Sequence, residues 1–135
     1  MQLDLDGRHV LITGASKGIG LACAETFLQE GCRVTLVGRD LPRLEAAAVG
    51  LKRPSQVHVI AADLAQESER VRLHADCRDV DILVNNAGIQ HVSPVEDFPL
   101  DKWDQIIAIN MSSAFHASKA VIPHMRARGW GRVVN

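Results

Sequence analysis

The most informative absence in this 135-residue sequence is tyrosine: there is none. Aromatic residues make up only 4% of the chain, so a phenolic acid or base must come from elsewhere if the chemistry needs one. Charge of one sign is missing too. The formal net charge is -1, which removes the electrostatic case for a nucleic-acid or anionic-membrane partner. Long apolar runs are absent. The longest aliphatic stretch, Ile106-Ile107-Ala108-Ile109, is far below the about 20 residues that cross a bilayer. The start, Met1-Gln2-Leu3-Asp4-Leu5-Asp6, is acidic and has no signal-peptide apolar region, so a cytoplasmic protein is expected. The three cysteines, Cys23, Cys32 and Cys77, are odd in number and widely spaced. That pattern fits reduced thiols rather than a disulfide framework or a zinc site, and no metal site is expected.

With 47% hydrophobic and 23% charged residues, the chain has the composition of a soluble globular domain. Short runs rich in Val, Ile and Leu alternate with helix-length segments. Strands are expected at 9–13, 33–38, 57–61, 82–85 and 132–135, and helices at 18–30, 41–52, 65–78 and 101–128. Leu21, Ala24, Phe27 and Leu28 form one face of the first helix, and Gly31 stops it. Asp63 with Gln66 reads as the N-cap of the third helix. The last helix carries an apolar line, Trp103, Ile107, Met111, Phe115, Ile122 and Met125, with Pro123 expected to bend its far end. The line suits packing on the chain's own sheet or on another chain. Alternating strands and helices imply an α/β fold with a parallel sheet, right-handed crossovers and helices on both faces. The sequence stops as it enters an apolar strand, so it is expected to be a fragment of a longer protein, with that strand as a raw edge.

The first strand leads into Thr13-Gly14-Ala15-Ser16-Lys17-Gly18-Ile19-Gly20 and a helix. Glycines at 14, 18 and 20 let backbone approach a ligand, and the helix N-terminus offers free N–H groups to a pyrophosphate. A glycine-rich turn alone is weak evidence; its place between a strand and a helix strengthens it.

Further segments occur in a fixed order. Asp63-Leu64 follows the third strand, Asn85-Asn86-Ala87-Gly88 follows the fourth, Asn110 lies in the long helix, and Gly131-Arg132-Val133-Val134-Asn135 opens the fifth. Together with the glycine spacing, these resemble the N-terminal half of the short-chain dehydrogenase/reductase family over essentially the whole chain. The resemblance implies a Rossmann-like doubly wound sheet of order 3-2-1-4-5, truncated at the fifth strand. Residues 1–135 would then form one NAD(P)-binding domain, incomplete at its C-terminus. It assigns Gly14, Ser16, Lys17, Gly18, Ile19 and Gly20 to the cofactor turn. Asp63 and Leu64 match the pair beside the adenine, and Asn86, Ala87 and Gly88 the segment along the ribose. Asn85 matches a residue tying strands together. Asn110 matches the catalytic-relay asparagine whose backbone carbonyl holds a water. The family also implies a dimer or tetramer, the long helix packing on its counterpart.

Cofactor choice has a physical basis. A carboxylate ending the second strand would accept from a ribose 2′-OH and repel a 2′-phosphate. Here that strand ends Val37-Gly38-Arg39. Arg39 can fork onto a phosphate, and Lys17 adds a second positive charge. These favour NADP(H) over NAD(H), although the adjacent Asp40 could neutralise Arg39.

The segments 86–99, from Asn86-Ala87-Gly88-Ile89-Gln90-His91 to Phe98-Pro99, and 102–110, from Lys102-Trp103-Asp104-Gln105 to Ile109-Asn110, are similar to the bacterial 3-hydroxybutyrate dehydrogenases within that family. The resemblance assigns Gln90 to a substrate carboxylate. Those enzymes use NAD, so the two halves of the sequence point to different cofactors, and the substrate stays open between a 3-hydroxybutyrate-like and a 3-oxoacyl compound. The family's Ser and Tyr-x-x-x-Lys group has no match here, so the 135-residue chain alone is expected to transfer no hydride. His91, His116 and His124 are expected at the surface or in helix packing. The alternatives are a noncatalytic nucleotide-binding module and an inactive truncated remnant.

Overall fold

A computed structural model of the chain describes residues 2–135; Met1, the first residue of the acidic start, lies outside the described residues. Five parallel strands form one sheet in the order β3-β2-β1-β4-β5. They are β1 (His9–Thr13), β2 (Arg33–Gly38), β3 (Val57–Ala61), β4 (Ile82–Val84) and β5 (Arg132–Val134). The register pairs Val10 with Val34 and with Ile82, so β1 is central. Its five residues are all buried, as a strand covered on both faces requires. Helices α1 (Gly18–Gln29) and α2 (Leu41–Gly50) follow β1 and β2; α3 (Glu67–Asp76), α4 (Leu100–Ile107) and α5 (Ser113–Arg128) follow β3 and β4.

Alternating side chains of the strands feed two cores. Val10, Ile12, Val34, Leu36 and Leu44 pack with Ala24 and Leu28 of α1. Leu11, Val37 and Leu83 pack on the other side with Leu73 of α3 and Ala117, Val121 and Met125 of α5. Order reverses between β1 and β4, and the connections leave the sheet there toward opposite faces. That makes a crevice at the C-terminal ends of these two strands. The opposite end of the sheet is tied by polar groups. Asp81 accepts from the His9 N–H (2.9 Å) and faces His124 Nε2 (3.2 Å).

Three expectations need correction. Asp63 does not cap α3. The helix begins at Glu67 with Gln66 as its N-cap residue, and Asp63 Oδ1 instead accepts from the Ala65 N–H at 3.0 Å. A short carboxylate satisfies the nearer amide two residues on, and the chain turns once more before the helix starts. The long helix is not uniform: a π-helical turn, Ala108–Ser112, separates α4 from α5. The extra residue rotates the buried face, so Ile109, Ser113, Ala117, Val121 and Met125 lie inward. Of the apolar line, Met125 is buried, while Trp103, Met111, Phe115 and Ile122 are exposed, Met111 and Phe115 at 63% each. Finally, β4 ends at Val84 and β5 at Val134, one residue short of expectation. Helix α5 runs through Pro123 and ends at Gly129 in the left-handed conformation (φ 69°).

Candidate functional site

A groove of about 440 Å³ opens at the crevice between β1 and β4. One wall is the turn after β1, contributed by Gly14, Ser16, Lys17, Gly18 and Ile19. Asn86, Ala87 and Gly88 form the other, and Arg39 and Leu64 also line it. Ten of the residues singled out in the sequence therefore share this groove. Gly38, Ala62, Ile89 and Ile109 line it as well. The signal for Gly38 was its place at the end of β2. Ile109 could not be found by pattern, because only the π turn aims it here.

The two walls are fastened by Thr13 and Asn86. Thr13 Oγ1 accepts from the N–H groups of both Asn86 (3.1 Å) and Ala87 (2.9 Å), and Asn86 Nδ2 donates to the Gly14 carbonyl (3.0 Å). The approach is too close for side chains. A Cβ on Gly14 would lie 2.9 Å from Ala87 Cα, and one on Gly20 would lie 2.6 Å from both Asn86 Nδ2 and the Gly14 oxygen. Gly20 thus shapes the turn from beneath and does not line the groove. Gly18 is left-handed (φ 58°) with open space above it.

Helix α1 begins at this turn with no side-chain hydrogen bond to its N-cap and no acidic residue in its first turn. Its first amides and the positive end of its dipole therefore face the groove unmasked, which suits an anion such as a pyrophosphate. Arg39 and Lys17 form no ion pair among the described residues. Asp40, which could have neutralised Arg39, caps α2 instead. Its Oδ1 accepts from the Arg43 N–H (3.2 Å) and its Oδ2 faces Arg43 Nε (3.4 Å). The groove thus presents two free cations, backbone amides and an apolar floor.

Asp63, Gln90 and Asn110 do not line the groove. Asp63 flanks it between Ala62 and Leu64. Asn110 sits in the π turn, and its amide makes both halves of a backbone pair. Oδ1 accepts from the Ile89 N–H and Nδ2 donates to the Ile89 carbonyl, each at 2.9 Å. It thereby pins the loop after β4 to the helix, one residue before Gln90. In that loop His91 packs edge-on against Phe98 (5.4 Å), and Phe98 against Trp103 of α4 (6.5 Å). Asn85 ties β4 to β5, its N–H donating to the Val134 carbonyl and its Nδ2 to Asn135 Oδ1, both at 2.8 Å.

Two other hollows, of about 420 and 520 Å³, lie away from the strand C-termini. Among the described residues no cluster of three or more His, Cys, Asp or Glu side chains is placed to hold a metal ion. No described helix is long and apolar enough to cross a membrane. The three cysteines are unpaired, and burial pushes the Cys32 and Cys77 thiols up to about 11, where they are inert.

Residues 8–135 match the family model for short chain dehydrogenase. The chain belongs to the short-chain dehydrogenase/reductase family. Among curated short-chain dehydrogenases, it is 40% identical to a D-beta-hydroxybutyrate dehydrogenase of Cupriavidus necator, with 97% of this chain and 53% of that protein aligned. It is 38% identical to a gluconate 5-dehydrogenase of Gluconobacter oxydans over 97% of this chain and 53% of the relative. The chain therefore spans about half the length of the curated relatives it matches. Among solved structures, L-sorbose reductase of Gluconobacter frateurii, complexed with NADPH and L-sorbose, superposes with a TM-score of 0.91 at 34% identity. That match covers 98% of this chain and 53% of the reductase. The doubly wound sheet of order 3-2-1-4-5 is thus a family feature, and the protein is related to oxidoreductases.

Proposed function

We propose that residues 1–135 form the dinucleotide-binding part of an NAD(P)(H)-dependent oxidoreductase of the cytoplasm, and that NADP(H) is preferred over NAD(H). The observation that carries this reading is the uncapped N-terminus of α1 opening, with its glycine turn, on the β1/β4 crevice. Gly14, Ser16, Gly18, Ile19 and the first amides of α1 would hold the pyrophosphate, with Gly20 shaping the turn below them. Lys17 and Arg39 would take the ribose 2′-phosphate, since Asp40 is engaged by Arg43. Asp63 and Leu64 would face the adenine, and Asn86, Ala87 and Gly88 the adjoining ribose. When bound, the nicotinamide supplies the hydride that passes to or from a hydroxyl or ketone carbon of a small-molecule substrate.

Gln90 would donate its amide to a substrate carboxylate, a role supported by the similarity to D-beta-hydroxybutyrate dehydrogenases. Asn110 would serve the proton relay through its backbone carbonyl while its side chain holds Ile89. The acid/base tyrosine is not in this sequence, so we assign it, with its serine and lysine, to chain beyond Asn135. The exposed Trp103, Met111, Phe115 and Ile122 support a homo-oligomer, dimer or tetramer, in the full-length protein.

A second reading, a nucleotide-binding module without catalysis, is favoured by the absence of tyrosine. Calorimetric titration of the 135-residue chain with NADPH and NADH, followed by a ketone-reduction assay, tests both. Binding of NADPH more tightly than NADH, without turnover, is expected. Turnover by this chain alone would overturn the assignment of the acid/base group. Absence of binding to either nucleotide would leave an inactive remnant.

A further inference from the structure

Helix α3 does more than fill the second core: three of its charged side chains reach back to the backbone that joins β3 to it. Arg72 Nη2 donates to the Ala61 carbonyl (2.8 Å) and to Glu69 Oε2 (3.0 Å). The same Glu69 oxygen accepts from the Asp63 N–H at 3.3 Å. Arg70 Nη1 donates to the Leu64 carbonyl at 2.7 Å. Backbone groups of Ala61, Asp63 and Leu64 are thus all held from one helix. The Asp63 side chain is oriented within the same segment by its bond to the Ala65 N–H.

Arg70 is the unusual member. It is only 8% exposed, its Nε has no partner, and it forms no ion pair among the described residues. A guanidinium buried with no opposing charge lowers stability, and an apolar side chain of similar length would pack there at less cost. The burden extends to His74 one turn on, also buried, with neither ring nitrogen partnered. What Arg70 gains in this position is one short charge-assisted bond to Leu64, a residue that lines the groove.

We infer that Glu69, Arg70 and Arg72 form a clasp that sets the adenine-side wall of the groove, with Arg70 as a positioning residue for the dinucleotide. The inference rests on the functional reading proposed above. The clasp acts through backbone only: it fixes Leu64 as an apolar face for the adenine and Asp63 beside it. Its loss weakens adenosine-containing ligands and leaves ligands without adenosine unaffected.

The test uses the 135-residue chain with Arg70→Met and, on the exposed side, Arg72→Met, whose folding is not at risk. Affinity is titrated for 2′,5′-ADP and for nicotinamide mononucleotide. Urea midpoints and amide hydrogen exchange at residues 63–66 are measured alongside. Arg70→Met is expected to weaken 2′,5′-ADP about fivefold to tenfold. It should leave the mononucleotide unchanged, speed exchange at the loop amides, and hold or raise the urea midpoint. Arg72→Met is expected to act in the same direction by about twofold to threefold, and Arg70→Lys, which can still donate to Leu64, to restore part of the affinity. Unchanged 2′,5′-ADP affinity in both variants overturns the inference while the functional reading stands. So does a loss that merely follows the urea midpoint. If the unsubstituted chain binds no 2′,5′-ADP, the functional reading falls and the positioning role with it.

Discussion

At the end of β2, one residue without a side chain stands beside one with a free positive charge. Gly38 leaves the space, and among the described residues Arg39 has no ion pair, Asp40 being turned toward Arg43. Replacing Arg39 by Ala should weaken NADPH about tenfold, the loss of one charge-assisted contact, and leave NADH within about twofold. Gly38→Asp should reverse the preference, since the carboxylate repels a 2′-phosphate and accepts from a 2′-OH. A Cβ at 38 meets the end of the buried Leu44 side chain at 3.3 Å, so the substitution requires Leu44 to shift by a few tenths of an ångström. Paired titrations of both variants with NADPH and NADH check this, and an unchanged ratio would remove Arg39 from the site. Gly20 is less forgiving, because its neighbours at 2.6 Å include the Gly14 carbonyl. Gly20→Ala should cost about 1–3 kcal/mol in urea unfolding. The glycines were legible in the sequence because only glycine satisfies such spacing. The partition of Asp40 between Arg39 and Arg43 was not, because it depends on which way a helix cap turns.

On the scale of the element, burial decides the consequence of a substitution more than residue type does. Leu73 and Val71 both lie on α3, the first fully buried and the second 63% exposed. Leu73→Ala should therefore lose about 2–5 kcal/mol, whereas Val71→Ala should stay within about 0.5 kcal/mol. Equal urea midpoints for the two variants would mean that α3 is not docked as described. The strands and the first helix were readable because apolar runs and the Gly31 stop coincide. The π turn was not. Ile107, Met111 and Phe115 recur every four residues, as in any α-helix, and one inserted residue changes which face is buried without changing that pattern. The inward line that results, Ile109, Ser113 and Ala117, is buried. Asn110 was found only by resemblance. Its pairing with Ile89 is a contact between elements that no local signal announces.

For the molecule as a whole, the alternation of strands and helices implied a parallel sheet with helices on both faces, the family resemblance implied the order 3-2-1-4-5, and the sheet has that order. What alternation could not reveal is the polar base of the sheet, where His9 is buried with both ring nitrogens engaged. A carboxylate only accepts, so Nδ1 carries the proton toward Asp79 Oδ1 (3.1 Å), and Nε2 accepts from the Thr35 hydroxyl (2.8 Å). The neutral ring is thereby fully satisfied. Burial, and then the Arg33 charge, hold His9 below the ordinary histidine range, against the pull of Asp79. Burial, then His116 and Arg70, do the same to His74. In the unfolded chain both rings take up a proton near about pH 6.5, whereas the folded chain resists until a lower pH. Between those limits the unfolded state binds more protons, so stability is complete above about pH 6.5 and declines as pH falls below it. Each histidine contributes a slope of at most about 1.4 kcal/mol per pH unit. Urea midpoints at pH 7.5, 6.5 and 5.5 should show this decline. His74→Leu should remove about half of the slope and raise stability at pH 5.5, because an apolar side chain there has no proton to refuse. A variant with the slope of the unsubstituted chain would mean that His74 is solvated and its ring nitrogens are satisfied by water.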